Sequence, residues 1–211
     1  GTTYPVVNTL RKNSTVTIHD SKKVKNTTWY RIGTNQWVSS IHVKTISDNV
    51  NEIVVNPTMT MNQIQDCLKE RGCTIRFSVG VYNITKPLLL YSDTNIFLDN
   101  ATLVRKNSKQ IFINHIDYKK EYNYNATKNI RFCGKGTLVG NGNNKTCSTI
   151  SLIHCDNIVF EEGIEFSKTF KSHAVDLAGC RNIVFKKVKF KDRIDNLKAY
   201  YKEEVNIDIA Y

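Results

Sequence analysis

The chain has 211 residues, 40% hydrophobic and 23% charged, with only three prolines. This is a globular composition that excludes a disordered tail or a stiff Pro-rich spacer. Lys and Arg number 30 against 19 Asp and Glu, a net charge of +11, which favours anionic partners such as nucleic acid, anionic lipid or wall polyphosphate over a merely solvated basic surface. No apolar run approaches the roughly 18 residues that a membrane-spanning helix requires, and the start at Gly1 lacks a charged-then-apolar leader pattern, as it would after a leader had been removed.

Residues 1–47 predict a small all-β module. Ser14 to His19 alternate polar and apolar, Asn26 and its two threonines read as a turn, Trp29–Gly33 as a strand, and Gly33–Gln36 as a tight reversal into Trp37 and Val38. Seven cations (Arg11, Lys12, Lys22, Lys23, Lys25, Arg31, Lys44) face the single carboxylate of Asp20. The segments 15–18 (TVTI), 28–33 (TWYRIG) and 35–43 (NQWVSSIHV) resemble the wall-binding repeat of lactobacillal S-layer proteins over about 40 residues. That resemblance implies a β-barrel-like unit attached non-covalently to anionic cell-wall polymer through residues 1–47. Trp29 and Trp37 are expected to be core rather than sugar platforms.

Residues 45–57 read as a connector opening a second domain over 48–211. Residues 58–72 then read as a helix. Thr60 with Gln63 has the capping-box form, Met61, Ile64 and Leu68 share a face, and Gly72 suits a left-handed C-terminus. From Cys73 the chain repeats one unit: 95–98 (NIFL), 129–132 (NIRF), 157–160 (NIVF) and 182–185 (NIVF), each followed by a second short apolar stretch. The unequal intervals mean loops of different length inserted into a constant strand frame. Short β-runs at this period without intervening helices suit a solenoid whose coils pair edge to edge. Asn at a fixed turn tolerates left-handed backbone and bonds to the Asn of the next coil. Of the six cysteines, Cys155 and Cys180 fall at equivalent positions and are expected to stack as buried thiols.

The helix, the segment 72–84 (GCTIRFSVGVYNI) and the segment 134–142 (GKGTLVGNG) resemble the start of pectin-lyase-like proteins: polygalacturonases, polysaccharide lyases and phage tailspikes. The resemblance spans 58–211 and implies a right-handed, single-stranded parallel β-helix with an N-terminal capping α-helix. It implies no particular activity. Where the glycosidases carry Asp, this chain has Leu138 and Val139, and their paired-Asp and Gly-His-Gly motifs are absent. The strand reading at the chain's end, Tyr211, implies a solenoid either covered by a partner or continued in a longer parent protein.

Superposing the coils on Cys155 and Cys180 sets Ile150–Leu152 over Val175–Leu177, and Ile207–Ile209 has the same in-out-in pattern. Ser151, Asp176 and Asp208 then stack outside, the two carboxylates about 4.8 Å apart. Like charges that close push one pKa upward and provide a proton donor beside an ionised partner, near the separation in retaining glycosidases. No cofactor is expected, although Ca²⁺ would suit such a pair. Lys171 and His173, and less so His154, are expected as base or substrate contact. Exposed aspartates neutralised by neighbouring cations are the plainer alternative. The expected function is that of a secreted, cell-wall-associated glycosidase or lyase acting on polysaccharide. The alternatives are a non-catalytic glycan-binding adhesin or tailspike-like protein, and nucleic-acid binding, for which no recognition helix is visible.

Overall fold

The computed structural model describes residues 9–11, 14, 16, 18–43, 51–117, 120–140, 147–170, 172–194 and 203–209. The chain divides into two compact units, Gly1–Asn49 and Val50–Tyr211.

In the first unit β1 (Asp20–Val24), β2 (Thr27–Gly33) and β3 (Gln36–Ser39) form an antiparallel three-stranded sheet. Lys25 and Asn35 take left-handed backbone at the two reversals (φ 53° and 55°), which hairpin turns demand. Trp29, Tyr30 and Trp37 are half-buried, and Lys22 Nζ lies 4.3 Å from the centre of the Trp37 ring. One expectation changes. The first strand begins at Asp20, which pairs with Arg31. Ser14, Val16, Ile18 and His19 lie outside it, and Thr15 and Thr17 fall outside the described residues. The three strands make an open sheet among the described residues, and much of the remainder of the unit expected to be barrel-like lies outside them.

The second unit starts inside the expected connector. Residues β4 (Asn51–Val55) pair in parallel with a strand that lies beyond the helix. Helix α1 (Met61–Leu68) is shorter than its pattern suggests, and Thr60 and Gln63 form both halves of the capping box. Ile64 and Leu68 are fully buried. Gln65 replaces a missing strand: its side chain accepts from Leu89 N (2.7 Å) and donates to Leu89 O (3.1 Å). The amide thus satisfies an edge that would otherwise be open to another chain.

Five coils follow. The first holds β5 (Cys73–Phe77), β6 (Gly80–Ile84) and β7 (Leu88–Leu90). The second holds β8 (Thr94–Arg105) and β9 (Phe112–Asn114), and the third β10 (Lys128–Val139) and β11 (Ile150–Ile153). The fourth holds β12 (Asp156–Phe160), β13 (Ile164–Ser167) and β14 (Val175–Ala178). The fifth holds β15 (Arg181–Phe185), β16 (Lys189–Lys191) and β17 (Val205–Asp208). Every pairing between coils is parallel, as a parallel β-helix requires. Strands β8 and β10 run through a corner, so one long sheet makes two faces. Face one carries β4, β5, β12, β15 and the first halves of β8 and β10; face two carries β6, β13, β16 and the second halves. The order β17-β14-β11-β9-β7 makes face three.

Alternation along each strand sends every second residue inward. The column Ile75, Ile96, Phe132, Phe160, Phe185 runs along face one. Phe160 stacks on Phe132 (4.7 Å, 5°) and on Phe185 (4.8 Å, 3°). Face two contributes Tyr82, Leu103, Leu138 and Phe166. Apart from the half-buried Phe185 these side chains are buried, and each contributes roughly 1.5–3 kcal/mol.

The corner between faces three and one is the expected asparagine turn. Asn129, Asn157 and Asn182 are left-handed (φ 57°, 59° and 54°). Asn157 Nδ2 donates to Asn129 Oδ1 (2.8 Å) and Asn129 Nδ2 to Asp93 Oδ1 (2.7 Å). The repeat is misphased at its first copy: the left-handed residue of that coil is Asp93 (φ 65°), while Asn95 pairs with Arg131 in mid-strand. Gly72 (φ 67°) belongs to this same column and donates its N–H to Asp93 O (2.7 Å). The helix ends earlier, at Lys69.

Candidate functional site

The register of β17 separates the carboxylates expected to pair. Asp176 stands beside Asn206, and Asp208 beside Ala178. Asn206 Nδ2 donates to Asp176 Oδ1 (2.9 Å), and Ser151 Oγ approaches Oδ2 (3.5 Å). The outward column is therefore Ser151, Asp176, Asn206, with Asp208 two residues further along its strand and not beside Asp176. A slip of two residues keeps every side chain on its face, so in-out parity could not detect it. Ile207 does share the inward side with Leu177 but is exposed, and Ile209 is exposed as well. Among the described residues, no group of three His, Cys, Asp or Glu side chains could hold a metal ion.

His173 is buried, and its Nδ1 lies 3.0 Å from Glu203 O, so that nitrogen carries the proton. His154, also buried, donates in the same way to Asn123 O (2.8 Å). Both rings tie loops to the coils. Lys171 lies outside the described residues. Cys155 and Cys180 are free thiols on successive coils, with Cys180 Sγ accepting from Cys155 N (3.4 Å). The contact with Cys155 holds the Cys180 thiol below its ordinary value, and Cys155 is itself pushed up by that contact and by burial.

A concave surface lies on face two. Thr102, Thr137, Glu165 and Lys189 follow one another outward on four successive coils. With Asn100, Lys135 and Gly163 they line an open groove of about 420 Å³. Glycine forms its floor for a steric reason. At Gly163 (φ 98°) a Cβ would collide with the carbonyl oxygen of Gly134, and at Gly134 (φ 85°) with that of Leu98. The wall is charged. Glu165 pairs with Lys191 (2.6 Å) and Lys189 (3.5 Å), and its hydrogen bond from Lys191 outweighs partial burial and holds the carboxyl below its ordinary range. Glu165 is thus ionised at neutral pH and is no proton donor. The sequence reading missed this groove, although the alternating lysines of 187–191 set against Glu162 and Glu165 were a readable sign.

Behind the groove, Arg105 is buried inside the corner between faces two and three. Its guanidinium donates to the carbonyls of Gly140 (2.7 Å), Ser148 (3.3 Å) and Cys147, closing both ends of the insertion that leaves β10.

No protein-family model and no curated protein matches the chain. Solved structures do. A Streptococcus pneumoniae surface protein and adhesin, PfbA, superposes with a TM-score of 0.54 at 18% identity over 69% of this chain and 40% of that one. A second crystal structure of PfbA gives 0.54 at 16% identity over 72% and 38%. The chain therefore spans about two fifths of the length of these adhesin structures, and at such identity the likeness is one of fold. Among the described residues, no helix is long and apolar enough to cross a membrane.

Proposed function

We propose that this chain is a cell-surface carbohydrate-binding protein that holds an extended glycan along face two without cleaving it. The observation that carries the reading is the groove itself. Its hydroxyls, amide and lysines (Thr102, Thr137, Asn100, Lys135, Lys189) repeat along the coil axis. Its one carboxylate is bound to two lysines. Glycoside hydrolysis needs a carboxylic acid paired with a second carboxylate, and Glu165 and Asp176 both have other partners. The excess of lysine favours a uronic-acid polymer over a neutral one.

The surface adhesin that shares the fold supports a surface location. The parallel pairing of every coil supports a single chain wound as a right-handed solenoid, the usual hand of parallel crossover connections. For the first unit we propose contact with anionic cell-wall polymer through Lys22, Lys23 and Lys25, since Lys22 and Lys23 stand on β1 and Lys25 at its turn.

The test is affinity electrophoresis in gels containing polygalacturonate, alginate, xylan or dextran, alongside assays for reducing ends and unsaturated products. The expected result is retardation by the polyuronates with no product, weakened about tenfold by Lys135→Ala with Lys189→Ala, equivalent to ~1.4 kcal/mol. Product release would overturn the binding reading. Unchanged retardation of the double variant would remove the groove.

A further inference from the structure

A second surface lies on the opposite side of face one, at the corner between faces three and one. Most coils make this corner in two or three residues: 91–93, 154–155 and 179–180. Between β9 and β10 it takes residues 115–127. The excursion is tied down. Thr127 Oγ1 donates to His115 O (2.9 Å), His154 Nδ1 to Asn123 O (2.8 Å), and Ala126 N to His154 O (3.1 Å). Glu121 accepts from Asp117 N (2.6 Å).

On the described part of this backbone two tyrosine rings face outward. Tyr122 is 62% exposed and Tyr124 38%. Tyr124 lies against the Arg181 guanidinium (4.8 Å), and exposed His115 stacks on Tyr91 (4.9 Å, 22°). Asn123 and Asn125 are exposed between and beside the tyrosines. Folding gains little from presenting such rings to water, and long loops on a rigid scaffold are where binding resides.

We infer that the tyrosine corner formed by Tyr91, His115, Tyr122 and Tyr124 is a binding site for neutral glycan, separate from the groove on face two. Three features select that ligand. Flat rings suit the C–H face of a pyranose, and the neighbouring amides suit its hydroxyls. Two of the described cations here are paired with carboxylates, Arg181 with Asp156 (2.8 Å) and Lys120 with Asp117 (3.7 Å), which lowers the positive field that a phosphate backbone or a polyuronate demands. Pre-ordered rings lose little entropy on binding.

The experiment uses the full chain labelled with ¹³C at the tyrosine rings and titrated with cellohexaose, xylohexaose and maltohexaose. The proposal expects the Tyr122 and Tyr124 resonances to shift with at least one of them, and Tyr122→Ala with Tyr124→Ala to weaken that binding tenfold or more. Decaproline and a thymidine decanucleotide are run in parallel. Shifts with either of these and not with the sugars would reassign the surface and overturn the proposal, as would no shift with any probe. Lys135→Ala with Lys189→Ala should leave the corner titration intact, so failure here and failure of the groove are read separately.

Discussion

Replacing Phe160 by alanine tests whether the coils form one continuous aromatic stack. Phe160 is fully buried, lies face to face with Phe132 and Phe185, and meets Phe166 edge-on at 6.1 Å. Truncating a buried Phe to Ala costs about 3–5 kcal/mol, and each ring pair is worth a further ~0.5–1.5 kcal/mol beyond its buried area. Two parallel partners place the loss at the upper end, near 5 kcal/mol. For a unit of this size each kcal/mol lowers Tm by roughly 2–4 °C, so a fall of about 10–20 °C is expected. Phe185 has one parallel partner and a tilted contact with Phe190 at 6.4 Å, and it is only half-buried. Phe185→Ala should cost about 2 kcal/mol. Urea titration followed by circular dichroism measures both. Equal losses for the two variants, or a loss below ~1 kcal/mol at Phe160, would refute the stack.

The asparagine column separates two effects. Asn157→Ala keeps neither the left-handed preference nor the amide and should cost about 1–2 kcal/mol, whereas Asn157→Gly, free of the backbone penalty, should cost under ~1 kcal/mol; equal urea midpoints would remove the left-handed argument. Arg105→Ala removes the guanidinium donors from the buried Gly140 and Ser148 carbonyls and the half-buried Cys147 carbonyl and should cost about 3 kcal/mol or more, checked by thermal melting, where a change within ~1 kcal/mol would refute the clamp. Acid should loosen the last two coils. Arg181 and Asn182 hold Asp156 below its ordinary value; partial burial raises Glu161, but Lys186 and Arg131 outweigh it; Lys191 and Lys189 depress Glu165. Groups depressed in the folded state contribute stability above their unfolded pKa and lose it as pH falls through the folded one, so Tm should hold from pH 7 to about pH 5 and drop below about pH 4. An unchanged Tm at pH 3 would contradict these ion pairs.

The parts of the fold legible in the sequence are those specified by neighbouring residues. Thr60 and Gln63 announce the helix start, and Asn129, Asn157 and Asn182 recur because a left-handed turn needs that side chain on every coil. Phase was not legible. Asn95 begins the same four-letter pattern as Asn129, yet its coil turns at Asp93, two residues earlier. Asp208 fails beside Asp176 for the same reason, since a shift of two leaves the inside and outside of a strand unchanged. Strand β4 was hidden because its partner β5 lies beyond a helix, and nothing local marks a parallel pair. The groove escaped because Glu165 and Lys189 become neighbours only once the coil length is known. The tyrosine corner left one trace, a long interval between repeats rich in Tyr and Asn.

The outer surface of the last two coils carries an order of its own. Asp156, Glu161, Glu162 and Glu165 on the fourth coil meet Arg181, Lys186, Lys187, Lys189 and Lys191 on the fifth. Each exposed pair is worth little, but their arrangement is directional. A fourth coil laid upon a copy of itself would set carboxylate against carboxylate along its length, and a fifth upon a fifth would set ammonium against ammonium. The two turns are therefore not interchangeable despite sharing a backbone path, and a rearranged or duplicated solenoid would have to alternate them to remain neutral at the seams.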